Sequence, residues 1–228
     1  MALDFYTISH NNHGVKNFVR NGTIMDEPKK RGRPRRYDPQ AALEKARDVF
    51  WSAGYSASSL DDLSAATAMN RPSLYGAFGD KEALYLKTLE GYRDLGIDGM
   101  RQALAPARTL REGLATVYEM ALEIYLGDVQ RGCFLIGTAA AEAVTHNAIA
   151  ALLLGSLKDF DREFEKRFRL AVESGEISRD ADPTALALLA SAVMHSLAVR
   201  ARAGESRDVL ETIARAGVAM ILKGAAAD

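Results

Sequence analysis

From residue 38 onward, apolar residues recur at spacings of three and four almost to the end of the chain. That is the period of amphipathic helices. Asp38 is placed to cap the first helix, with Pro39 in its opening position. Its apolar face reads Ala42, Leu43, Ala46, Val49, Phe50 and Ala53, and Gly54 closes it. A second, short helix starts at Ser58 or Ser59, where Asp61 or Asp62 three residues on makes an approximate capping box. Leu60, Leu63 and Ala66 face inward, and the pattern fades near Ala68. Asn70 caps a third helix that tolerates Pro72 in its first turn. Leu74 and Phe78 lie one turn apart on its buried side. Gly79 breaks it, and Asp80 caps a longer helix from Lys81 to about Asp94. Further helices are expected over 108–126, 132–145, 147–173, 183–203 and 206–223, with breaks at Gly127, near His146 and Asn147, at Ser174-Gly175 and at Gly204. Val/Ile/Thr-rich alternating runs are not found, so no sheet is expected. The fold class is all-α.

The first 28 residues lack a helical period and are rich in Asn, Gly and His. They are read as disordered, with Met25 as the natural start. Residues 29–36 form a basic run in which Gly32 and Pro34 prevent a helix, giving an extended, solvated arm. The chain therefore divides into an arm over 1–36, a small helical module over 37–90 and a larger helical domain over 91–228.

Composition narrows the classes. Apolar residues make up 48% and charged residues 26%, so a packed core is expected. The formal net charge of -1 means that any nucleic-acid binding must come from a local patch. A single cysteine, Cys133, excludes a disulfide framework and suits a reducing cytoplasm. No stretch of about 18 uncharged apolar residues is present, so no membrane span is expected. Phosphate-cradling glycine loops, nucleophile elbows and metal-spaced His/Cys/Glu clusters are absent. Catalysis by Cys133 with His146 or His195 would need a convergence that sequence does not show. No enzyme activity, metal or cofactor is expected.

The segment Ser59–Phe78 has a short helix, a tight connection and a second short helix, the arrangement in which the second helix enters a DNA major groove. That groove, about 12 Å wide, accepts one helix. The exposed face offers Asn70, Arg71, Pro72, Ser73 and Tyr75. Arg71 suits a bidentate pair to guanine, and the Ser73 and Tyr75 hydroxyls suit phosphates. Lys81 and the backbone amides at the start of the following helix add anion partners. Ser58 and Ser59 complete the set. In the arm, Arg31-Gly32-Arg33-Pro34 resembles the core of an AT-hook, so Arg31 and Arg33 are candidates for a narrow minor groove. Simple non-specific attraction by a basic tail is the alternative.

The runs Gly54-Tyr55, Ser58-Ser59-Leu60-Asp61-Asp62-Leu63-Ser64 and Asn70-Arg71-Pro72-Ser73-Leu74-Tyr75-Gly76-Ala77-Phe78-Gly79-Asp80-Lys81-Glu82-Ala83-Leu84 resemble the DNA-binding domain of the TetR/AcrR family of bacterial repressors. Ala68, Pro72 and Ala77 depart from the commonest pattern, at a turn glycine, a recognition-helix glycine and a histidine. The resemblance implies an N-terminal three-helix DNA-binding domain and a C-terminal helical domain that binds a small effector. It also implies a homodimer formed through the last two long helices, on a palindromic double-stranded operator. Such a protein is cytoplasmic and acts at the nucleoid. Candidate effector-pocket residues are Tyr118, Tyr125, Cys133, Phe134, Phe160, Phe164, Met194 and His195, each of which also suits ordinary core packing. Cys133 follows Arg131-Gly132, which leaves open a redox-sensing thiol activated by the arginine or a buried, inert one. A DNA-binding protein without an effector is the other alternative.

Overall fold

The computed structural model describes residues 7–10, 16–20, 23–25, 38–127 and 129–225. Two compact units are separated, residues 1–36 and 37–228.

In the first unit, strands β1 (Thr7–His10), β2 (Lys16–Arg20) and β3 (Thr23–Met25) form an antiparallel sheet in that order. Thr7 pairs with Val19, and Phe18 pairs with Met25. This corrects the expectation of disorder and no sheet here. The runs are short but carry Thr7, Ile8, Phe18, Val19, Thr23 and Ile24, the β-branched and aromatic types that favour strands. Paired Arg20 and Thr23 are joined by Asn21-Gly22, the composition of a tight hairpin loop. The basic run, with Arg31 and Arg33, lies outside the described residues.

The second unit is helical, and among its described residues there is no strand. Helix α1 (Pro39–Ala53) is capped by Asp38, whose carboxylate accepts from the Gln40 amide at 2.9 Å. Helix α2 (Leu60–Thr67) carries the expected capping box. The Ser59 hydroxyl accepts from the Asp62 amide at 3.1 Å, and the Asp62 carboxylate accepts from the Ser59 amide at 2.9 Å. Helix α3 (Arg71–Phe78) is capped by Asn70, and α4 (Lys81–Ala103) by Asp80. Helix α4 runs past the expected end near Asp94. Ile97, Met100 and Ala103 extend the buried stripe begun by Leu84, Tyr85 and Leu89, so burial outweighs the three glycines along the helix. The boundary drawn at residue 90 therefore falls inside one continuous helix.

Helix α5 (Leu110–Leu126) follows. The continuous helix expected over 132–145 is instead a π-helical turn, Leu135–Ala139, leading into the short α6 (Ala140–Glu142). Here Gly137 leaves room for the Arg202 guanidinium; a Cβ would stand 2.9 Å from its Nη1. Helices α7 (Asn147–Glu173), α8 (Pro183–Arg202) and α9 (Arg207–Gly224) match the expected spans closely. By length and composition α8 also meets the requirement for a membrane span. Its apolar surface is partly taken up by packing against α5, α7 and α9.

An aromatic cluster fastens α1 and α4 to the segment after Cys133. Phe50 and Tyr85 ring centroids lie 4.9 Å apart, Trp51 and Tyr92 5.1 Å, and Tyr85 and Phe134 5.8 Å. Such contacts add to the burial of the rings themselves. The Tyr85 hydroxyl, with its pKa pushed up to about 12 mainly by burial, bonds Thr138 Oγ1 at 2.6 Å. Trp51, absent from the expected α1 face, is buried because its indole N–H reaches the Arg131 carbonyl at 3.3 Å, across the unit.

Candidate nucleic-acid interface and interior cavity

Helices α2 and α3 are joined by Ala68-Met69-Asn70. Ala68 takes φ 55 and ψ 28, a left-handed conformation in which its N–H closes back on the Ala65 carbonyl. That bend turns the chain within one residue and frees Asn70 to cap α3, its Oδ1 accepting from the Ser73 amide at 2.9 Å. Leu74 and Phe78 are buried, so α3 is locked by one face. Its other face exposes Arg71, Pro72, Ser73, Tyr75 and Gly76. Tyr75 is 46% exposed although it is a large aromatic, which packing alone does not explain. A Cβ at Gly76 would meet nothing within 4 Å, so the outer surface of the helix is flat and open there.

The charges on this face are partly engaged. The Arg71 guanidinium donates from Nε (3.1 Å) and Nη2 (2.7 Å) to a single oxygen of Asp61 on α2. This holds its pKa up and fixes the side chain between the two helices. Lys81 is half-buried, with Nζ 4.6 Å from the Tyr55 ring centroid. Burial pulls its pKa down, opposed by Glu142. Ser59 is exposed at the α2 cap. Ser58 departs from expectation: it is buried, and its hydroxyl donates to the Gly54 carbonyl, so it shapes the α1–α2 turn. Asp80 Oδ1 already accepts from the Ala83 amide at the start of α4.

Between α4 and α5 lies a partly open cavity of about 350 Å³, flanked by Trp51 of α1, Phe160 of α7 and Met194 of α8. Tyr92, Gly96, Gly99, Met100, Val117, Met120 and Ile124 supply most of the wall, with Arg47 and Arg131 at its edge. Its size falls in the range of small-molecule sites. Of the expected pocket residues, Tyr125, Met194 and Phe160 line it. Four others do not. Tyr118 is buried, with its hydroxyl donating to the Ala190 carbonyl at 3.0 Å, and it lines a different hollow, between α5 and α9. Phe134 belongs to the aromatic cluster, Phe164 is fully buried, and His195 is half-buried with its pKa lowered by burial and partly restored by Asp161. Cys133 lies behind the wall, accepting from the Tyr92 hydroxyl at 3.6 Å. Burial pushes its thiol up. Arg131 is directed to Asp48 and the Trp51 ring, so of the two alternatives left open for this thiol the structure has the buried one. A second, more polar hollow of about 510 Å³ between α5 and α9 is rimmed by Arg111, Glu119, Arg207, Glu211 and Arg215.

Sequence reading missed Asp61, Arg47, Trp51, Tyr92 and Arg131. Asp61 stands ten residues from Arg71 and Arg131 eighty from Trp51, and only the fold brings them together.

A capped helix pair with one face buried and one open, followed by a hollow helical bundle, defines a helix-turn-helix DNA-binding regulator. Comparison with known proteins agrees. Residues 42–88 match the pattern of the bacterial regulatory proteins of the tetR family, and residues 111–217 that of the tetracyclin repressor-like C-terminal domain. Over 188 residues, 82% of this chain and 90% of the relative, it is 31% identical to the HTH-type transcriptional repressor ComR of Escherichia coli (strain K12). The TetR family transcriptional regulator CifR, solved as a cysteine mutant with 26 bp double-strand operator DNA, superimposes with a TM-score of 0.71 at 32% identity, covering 82% of this chain and 98% of that one. The regulatory protein TetR from Rhodobacter sphaeroides gives 0.71 at 25% identity, covering 79% and 96%. The chain belongs to the TetR family and is a DNA-binding transcriptional regulator.

Proposed function

We propose that this regulator is an effector-responsive repressor, working in the cytoplasm as a homodimer on a palindromic operator. The open face of α3, held rigid from behind by Leu74 and Phe78, is the observation that carries the reading. Arg71 reads a base edge, Ser73 and Tyr75 hold phosphates, and Lys81, Asn70, Pro72 and Ser59 frame them. Arg31 and Arg33 of the arm add attraction in the adjacent minor groove. Residues 37–90 act as the reading head and 91–228 as the effector and dimer domain, with α4 as the shared rod.

Two recognition helices about 34 Å apart match successive major grooves on one side of DNA. Dimerisation through α8 and α9 supplies that spacing. Leu188, Ala192 and Val199 on α8, and Val209, Ala216 and Met220 on α9, form apolar stripes left exposed in the single chain. An effector bound in the cavity alters the spacing and lowers DNA affinity, a coupling typically worth 1–3 kcal/mol.

Genome-wide mapping of bound sites identifies the operator. On that operator, Arg71→Ala and Tyr75→Ala are expected to lose binding while sedimenting as wild-type dimers. Normal DNA binding by both variants overturns the assignment of α3.

A further inference from the structure

The cavity has a chemically two-sided wall. Its interior is lined by aromatic, aliphatic and methionine side chains, and none of its described lining residues carries a carboxylate. At its edge stand two arginines, Arg47 on α1 and Arg131 in the segment after α5. Each guanidinium offers five N–H donors. Among the described residues their side-chain hydrogen bonds are one each, from Arg47 Nη2 at 3.5 Å and Arg131 Nη1 at 3.4 Å, both to the same oxygen of Asp48. These are at the long limit of hydrogen bonding. Arg47 Nε is buried and has no partner among the described residues. Arg131 lies over the Trp51 ring, 4.5 Å from its centroid, so a cation is held against the cavity wall. The two guanidinium groups share one half-exposed carboxylate, which leaves donors unspent at this edge.

We infer that the effector is an apolar monocarboxylate whose body fills this cavity and whose carboxylate is taken by Arg47 and Arg131. A carboxylate offers the acceptor pairs that guanidinium forks match, and it does so beside low-dielectric walls where such bonds strengthen. At about 30 Å³ per water-sized group, 350 Å³ holds about a dozen such groups, the scale of an eight- to ten-carbon chain or a phenyl-substituted short acid. The inference rests on the effector-responsive reading and adds a route for the signal. Arg47 lies on α1 of the reading head, one turn before Trp51, so an anion held by Arg47 and Arg131 pulls directly on α1.

Trp51 is the only tryptophan in the chain and lines the cavity, so its fluorescence reports occupancy. The full-length protein is titrated with octanoate and octan-1-ol, and with 3-phenylpropionate and 3-phenylpropan-1-ol, and operator release is followed in parallel. At least one acid is expected to bind ten-fold or more tightly than its alcohol. In Arg47→Gln/Arg131→Gln that preference is expected to fall to two-fold or less, while operator binding without ligand is retained as the check on folding. Equal binding of acid and alcohol to the wild type, or no binding of any probe, overturns the inference. If acid and alcohol release the operator at equal concentrations, the effector reading stands and the carboxylate site falls. If acids bind in an arginine-dependent way without releasing DNA, the site stands and the effector reading falls.

Discussion

Replacing Ala68 by glycine probes the bend on which the α2–α3 unit depends. Ala68 is the one non-glycine residue with positive φ among the described residues. At φ 55 and ψ 28 its Cβ crowds the following carbonyl, which costs an L-residue about 1–2 kcal/mol. Glycine removes that cost but gives the unfolded chain more freedom, which offsets about 0.4–1 kcal/mol. The Ala68 side chain is exposed, so little packing is lost. The expected net gain is therefore about 0.5–1 kcal/mol. For a protein of this size that raises Tm by about 1–4 °C. Ala68→Val, which puts a β-branched residue into the same conformation, is expected to lose more than about 1 kcal/mol. Urea and thermal unfolding are compared at matched protein concentration, because a dimer's apparent stability depends on it. A glycine variant no more stable than wild type, together with a neutral valine variant, refutes the strain argument. Operator affinity of the glycine variant tests whether the fixed bend also positions α3.

Asp61→Asn frees Arg71 from its ion pair. Operator binding, followed by fluorescence anisotropy at fixed salt, is expected to tighten several-fold; unchanged affinity shows that Arg71 does not reach the DNA. Gly132→Ala would place a Cβ 2.5 Å from the Ala198 carbonyl oxygen at φ +64, and is expected to cost about 2–4 kcal/mol in urea unfolding. A loss below about 0.5 kcal/mol contradicts that contact. Cys133 is buried with its thiol pKa raised by burial, so its labelling by an aromatic disulfide at pH 8 should proceed only as fast as the protein opens. Because the folded pKa lies above the unfolded one, the neutral thiol's contribution to stability is complete below pH 9 and is lost as pH rises through the folded value. Fast labelling of the native protein refutes this.

Local rules were enough to read the reading head. Asp38, Ser59, Asn70 and Asp80 cap the first four helices where their side-chain chemistry predicts, because a cap bonds to amides two or three residues away. The buried spacing of Leu74 and Phe78 likewise needs only the helical period, and with it the outward face of α3 follows. The sequence alone also set the spans of α5, α7, α8 and α9 to within about two residues. Where several local signals competed, tertiary contacts decided. Helix α4 overran its glycines because a continuous buried stripe outweighed their propensity. The helix expected after Cys133 became a π turn where Gly137 meets Arg202. The cavity belongs wholly to the tertiary structure. Aromatics at helical spacing look alike whether they fill a core or line a hollow, so Phe134 and Phe164 went to packing while Trp51 and Tyr92 became wall. Its arginines come from segments more than eighty residues apart, and only the packing of α1 against the chain after α5 brings their charges to one edge.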